Sequence, residues 1–230
     1  LIGFGQVFEW EQTFGGYLDD KGFDVKQTSD GGYILIGYTT IVDNEVYLIK
    51  TDENGQEQWS QIFNNSGGFG QSVIQQTSDG GYLVVGKTGT TWSDGDGYLM
   101  KLDENGTEQW IQTFPSNWLY SFQQTSDEGY IICGQTDNQE QLLIKTTNEG
   151  MVEWSQIYNP GSFYHIINTT DGGYIIAGRI VGEGIVLKTD GNGNEEWSQT
   201  FGGTGDDCGR SVQQTSDGGY VLTGYTESFG

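Results

Sequence analysis

Basic residues are scarce in this chain. Its 230 residues include 9 Lys and Arg against 32 Asp and Glu, a formal charge of −23. A potential of that sign repels phosphate backbones and anionic headgroups, which excludes nucleic acid as a partner and leaves cations, neutral glycans and other proteins. Proline occurs twice, at Pro115 and Pro160, too rarely for a stiff linker. No apolar run approaches the roughly 20 residues that span a bilayer, so membrane insertion is not expected. No signal peptide opens the chain, which starts at Leu1 without a Met; a leader already removed and a fragment of a longer protein are both compatible with that start. The two cysteines, Cys133 and Cys208, fall at non-equivalent places and carry no mark of a designed bridge. His165 is the single histidine, with no Cys partner and no Ser-His-Asp arrangement around it, so nucleophilic catalysis and a His-based metal site have no support. Acids are so numerous that a pair at glycosidase separation carries no information. A non-catalytic protein is the expectation.

What is abundant is glycine, 38 residues, and it recurs with a period. The string Gln27-Thr28-Ser29-Asp30-Gly31-Gly32-Tyr33 returns in four further copies, ending at Tyr82, Tyr130, Tyr174 and Tyr220. A second marker, Trp followed two places later by Gln and then an aromatic, stands at Trp10, Trp59, Trp110, Trp154 and Trp197. Each copy reads as four strands. In the second copy they are Ser72–Gln76, Tyr82–Gly86, Tyr98–Leu102 and Trp110–Phe114, with Asp79-Gly80 and Asn105-Gly106 as hairpin turns. The second strand is a continuous apolar run and is expected to be buried on both faces. Four meandering strands per repeat of about 40 to 50 residues is the period of a β-propeller.

The predicted fold is therefore all-β: a single five-bladed β-propeller over 1–230, with blades at about 22–63, 70–114, 118–158, 163–201 and 209–230 plus 1–14. The last copy supplies only two strands, and Leu1 to Phe14 carries the Trp10 marker of a fourth. The expectation is that this segment completes the last blade and removes an open sheet edge. The rival expectation is that it completes the blade of a neighbouring subunit, which would build a filament by strand addition.

The run Trp197-Ser198-Gln199-Thr200-Phe201-Gly202-Gly203-Thr204-Gly205-Asp206-Asp207, followed by Ser211-Val212 and the Thr-Ser-Asp-Gly-Gly-Tyr string, resembles the β-propeller repeats of bacterial and archaeal secreted and cell-surface proteins. The resemblance spans essentially the whole chain. It implies an extracellular or cell-surface location and a structural or adhesion role through protein partners or self-association, with no defined ligand. The copies at Phe114-Pro115-Ser116 and Tyr158-Asn159-Pro160 lack the Gly-Gly and Asp-Asp elements, so a uniform ligand site in every blade is not expected.

Residues that recur in register are explained by packing: the five Trp and five Tyr markers between blades, and Lys50, Lys101, Lys145 and Lys188 as stems along a strand with their heads on local carboxylates. Function is expected where the repeat is broken, in the loops that join strand two to strand three and one blade to the next, which share one face. That face carries Trp92, Trp118, Tyr120, Tyr164 and His165 as candidate ligand-binding residues. Asp94 and Asp96, and more weakly Asp19-Asp20 and Asp206-Asp207, offer oxygens of the kind Ca²⁺ takes, the competing reading being a solvated turn. Trp92 and Trp118 as sugar platforms give the alternative function, a glycan-binding protein similar in size and repeat length to five-bladed tachylectin-type lectins but without their repeat motif. Asn64, Asn105 and Asn168 head glycosylation sequons that count only in a secreted protein.

Overall fold

The computed structural model describes residues 10–17, 19–40, 45–63, 72–89, 95–115 and 117–228, and these form strands and turns with no helix among them. Leu1–Glu9, Asn64, Trp92 and Asp94 lie outside the described residues. The first blade pairs β1 (Asp20–Gln27), β2 (Tyr33–Thr39), β3 (Glu45–Thr51) and β4 (Glu57–Phe63) in chain order, all antiparallel. The second repeats this with β5 (Val73–Gln76), β6 (Tyr82–Lys87), β7 (Gly97–Leu102) and β8 (Glu108–Phe114). Then follow β9 (Asn117–Gln124), β10 (Tyr130–Thr136), β11 (Glu140–Thr146), β12 (Val152–Asn168), β13 (Tyr174–Ile180), β14 (Glu183–Thr189) and β15 (Glu195–Phe201) as one seven-stranded sheet, and β16 (Asp207–Gln214) with β17 (Tyr220–Thr226) as a two-stranded one.

The seven-stranded sheet departs from the expected blade limits at 158 and 163. β12 is one 17-residue strand. Up to Pro160 it pairs with β11 as the last strand of the third blade, and from Gly161 it pairs with β13 as the first strand of the fourth. The reason is local. Where the Gly-Gly and Asp-Asp elements are present, Gly202 to Asp206 form a loop with Gly202 at φ +124°; Asn159-Pro160-Gly161 has too few residues to turn out and runs straight on.

Burial explains the order within a blade. β6 and β7 are buried at every position, whereas β8 and β15 alternate toward solvent or face it. The core lies between blades: Ile34, Ile36, Val46 and Leu48 of the first blade pack on Ile74, Val84 and Met100 of the second, and matching clusters join second to third and third to fourth. At about 1.5–3 kcal/mol per fully buried apolar side chain, these interfaces are the main stabilising term. Each marker Trp crosses an interface. Trp59 meets Tyr82 with ring centroids 5.8 Å apart, Trp110 meets Tyr130, Trp154 meets Tyr174 and Trp197 meets Tyr220. The Asn-Gly turn lies against the same indole: a Cβ on Gly106 would stand 2.8 Å from Trp59, and Gly106 has φ +78°, so glycine is required twice over. Trp10 meets Tyr33 at 5.7 Å and Gly55 in the same way, as the outer-strand Trp of a blade preceding the first would.

The recurrent lysines are buried, and each ammonium is held by the Asp of the Ser-Asp-Gly-Gly turn (Ser-Asp-Glu-Gly in the third blade, Thr-Asp-Gly-Gly in the fourth). The pairs Lys50–Asp30, Lys101–Asp79, Lys145–Asp127 and Lys188–Asp171 lie between 2.8 and 3.0 Å. Each lysine also donates to the carbonyl of the next residue, and Lys145 and Lys188 reach Glu153 and Glu196 on the fourth strand. The lysine ties three strands of its blade together.

Candidate functional site

The first strands β1, β5, β9 and β12 line a cavity of about 720 Å³. Its two ends are made differently. At the end where strand one turns into strand two, a repeated amide stitches blade to blade: Ser29 N–H donates to Gln76 Oε1 at 2.7 Å, Ser78 N–H to Gln124 Oε1 at 3.0 Å, and Thr170 N–H to Gln214 Oε1 at 3.0 Å. We call this the turn mouth.

The other end, the loop mouth, is built on β-bulges. β1, β9, β12 and β16 each slip register by one residue, and the inserted residues are Phe23, Tyr120, Tyr164 and Arg210. A bulge re-aims the side chain it carries. The residue after the bulge then bridges to the next blade: Asp24 accepts from Ile74 N–H, Ser121 from Ile166 N–H and His165 Nδ1 from Val212 N–H, at 3.3 to 3.4 Å.

The re-aimed residues meet one another. Phe23 packs on Tyr38, Trp118 stacks on Tyr120 at 6.4 Å, and Tyr120 meets Tyr164 at 5.2 Å. The Arg210 guanidinium stands over Tyr164 at 4.5 Å and Tyr225 at 5.6 Å, and the Lys87 ammonium over Trp118 at 3.9 Å. Arg179 pairs with Asp206 at 2.6 Å. Burial drives the Tyr120 phenol pKa well above its ordinary value. Burial, seconded by the charge of Lys26, holds the His165 imidazole below its usual range. The Tyr120 phenol and the His165 imidazole are therefore neutral at pH 7.

Four of the five residues expected at the ligand face, Trp118, Tyr120, Tyr164 and His165, thus come together, and Trp92 lies outside the described residues. Of the expected cation ligands Asp94 lies outside the described residues, and the described ones do not come together. Asp206 is taken by Arg179, while Asp207, buried, accepts from Gly203 N–H at 2.9 Å and Ser228 Oγ at 2.7 Å to hold its own loop. Asp20 accepts from Gly16 N–H in the same way. Asp96 sits in the link from β6 to β7, closed by hydrogen bonds to Thr88. Among the described residues no three His, Cys, Asp or Glu side chains converge as a metal site would require. Lys87 over Trp118 occupies a ring face that a sugar would need. Asn105 is exposed in its turn, whereas the Asn168 amide donates to Gln124 O at 2.7 Å, so a glycan there would cost an inter-blade bond. Cys133 and Cys208 are buried free thiols. Sequence reasoning passed over Lys87, Arg179 and Arg210, whose signal was available: they are basic residues outside the register of the four recurrent lysines.

No family model matches the chain, and no curated protein matches it. Solved structures do. The Dos1 propeller is similar over 88% of this chain and 54% of its own, with TM-score 0.65 and 14% identity. The Neurospora crassa Pan2 WD40 domain is similar over 88% and 60%, with TM-score 0.56 and 13% identity. A protein of unknown function from Bacteroides caccae is similar over 83% and 64%, with TM-score 0.57 and 14% identity. The chain therefore spans about half to two thirds of the length of these structures. At such identities the likeness shows the fold: this is an all-β chain of the β-propeller kind.

Proposed function

We propose that the chain is a non-catalytic five-bladed propeller, working outside the cell or on its surface, that acts as a scaffold for protein contacts made at the loop mouth. One observation carries this reading: the recurring residues are consumed by turns, lysine ties and amide stitches, and the non-repeating aromatics and cations gather at a single end of the axis on and around four bulges. Loops on a rigid scaffold are where binding resides. Trp10 on Tyr33 and Gly55 supports ring closure by the N-terminal segment within one chain. The surface location rests on the repeat resemblance and the acidic charge. A non-catalytic role is supported by the use of His165 Nδ1 as an acceptor for Val212, which leaves the histidine a bridging part of the wall.

The test is proximity crosslinking on intact producing cells with photo-crosslinkers placed at Tyr120 and, as control, at Ile111 on the outer strand β8. The expected result is a discrete adduct from position 120 and none from 111, on the external side of the membrane. Equal crosslinking from both positions, or adducts confined to the cytoplasm, would refute the reading. Sedimentation of the purified chain tests closure separately, a monomer supporting it and a concentration-dependent polymer contradicting it.

A further inference from the structure

The nine basic residues fall into two sets. Four are the buried lysines of the blade ties. The other five, Lys21, Lys26, Lys87, Arg179 and Arg210, all stand on first or second strands (β1, β6, β13 and β16), beside the axis, in a chain of charge −23. Two of the five are matched by acids, Lys26 by Asp24 at 2.8 Å and Arg179 by Asp206 at 2.6 Å. Lys21 and Lys87 lie over the rings of Tyr38 and Trp118.

Arg210 is different. It is exposed, it is presented by the bulge of β16, and among the described residues no carboxylate lies within ion-pair distance of it. Its guanidinium is held against Tyr164 and Tyr225. Ring faces grip a guanidinium by its flat side, while its five N–H donors lie in its plane and remain available. An arginine oriented in advance loses less freedom when a planar oxyanion arrives, and it offers that oxyanion two parallel hydrogen bonds. Beneath it, the cavity wall continues through Tyr164, Tyr120, Gln123 and Gln75, whose hydroxyls and amides suit a peptide backbone.

We propose that the loop mouth binds a peptide segment of a protein partner through one Asp or Glu carboxylate, paired side-on with Arg210, with the segment lying across Tyr164 and Tyr120 at the lip of the cavity. A peptide is favoured over an anionic sugar because stacking needs open aromatic faces, and Lys87 and Arg210 each cover one face of Trp118 and Tyr164 while Tyr120 stacks on Trp118 as well. The proposal rests on the reading of the loop mouth as an interaction face.

Its test pans a displayed library of random dodecapeptides against the purified chain and titrates the synthesised winners, with oligogalacturonate as a second probe. The expected winners share one essential Asp or Glu. Replacing that acid by its amide, or making Arg210→Gln or Arg210→Lys, weakens binding about tenfold or more, and combining the peptide and protein changes adds little further loss. Unfolding midpoints of the variants should match the parent, since Arg210 is exposed. Winners without an acid overturn the proposal, and so does oligogalacturonate binding that depends on Arg210 when no acidic peptide is recovered. Peptides that need Tyr120 but tolerate Arg210→Gln overturn the carboxylate and leave the interaction face standing. Peptides indifferent to both positions overturn both.

Discussion

The turn mouth and the loop mouth are opposite ends of the same inner strands, and they obey different rules. At the turn mouth one side chain does one task at three joints: Gln76, Gln124 and Gln214 each accept a backbone N–H from the preceding blade, and at the joint of the third and fourth blades Asn168 donates to Gln124 O instead. At the loop mouth one backbone device, the bulge, carries Phe23, Tyr120, Tyr164 and Arg210. The difference teaches how a repeat protein separates its obligations. At the turn mouth a single type of acceptor bridges the blades, whereas at the loop mouth Asp24, Ser121 and His165 make the equivalent bridge with three different side chains. A bulge needs only an extra residue, so its geometry repeats while its chemistry is free to vary.

The largest effect that would break this comparison lies at the turn mouth. Lys145→Ala removes a buried ammonium that holds Asp127, Glu153 and the Thr146 carbonyl, and leaves two carboxylates facing each other. Urea unfolding should show a loss of about 3 kcal/mol; a loss as small as that of a loop-mouth variant would mean that the ties are ornamental. Acid should act next, and on the same end. The Lys50 hydrogen bond holds Asp30 at about 2. Thr169, Gly173 and Lys188 hold Asp171 there too, and in Asp127 partial burial works against the shift but is outweighed by Thr125 and Lys145. Because these folded-state values lie below the ordinary 3.8, the folded chain binds fewer protons than the unfolded one between about pH 4 and pH 2. The stability they supply is complete above that window and is lost as pH falls through it. Melting temperature should be level near neutrality and drop across the window, less steeply in Asp127→Asn. The smallest effect belongs to the loop mouth: Arg210→Ala, exposed and unpaired with any acid among the described residues, should change unfolding free energy by no more than about 0.5 kcal/mol, sharpening the contrast between a side chain that ties its blade and one presented to solvent.

Much of the fold was legible because its causes are local and repeat. Asp79-Gly80 and Asn105-Gly106 announce positive-φ turns, and Tyr82–Gly86 announces a strand buried on both faces. The lysine heads meet local carboxylates as their register implied. The continuous β12 was not legible, because its cause is the absence of a loop element and not the presence of a signal. The candidate site was half legible. Tyr120 and Tyr164 stood out as non-repeating aromatics, but the bulges that turn them to the axis depend on pairing with β10 and β13, which no local pattern encodes. Arg210 was hidden for the same reason, and the Asp206-Asp207 pair read as a cation site because a carboxylate that holds its own loop has the same sequence as one that holds an ion.

The shared strand β12 sets how this chain comes apart. Blades joined by a loop can part by breaking side-chain contacts alone, with each sheet left whole. The third and fourth share one continuous strand with no loop between Pro160 and Gly161, so separating them requires bending that strand as well. Amide protons of β9 to β15 should therefore exchange with solvent water as one cooperative unit, with a single opening free energy, while those of β1 to β4 exchange independently. Any widening of the axial cavity must then take place at the other joints, with the middle pair turning as a rigid half.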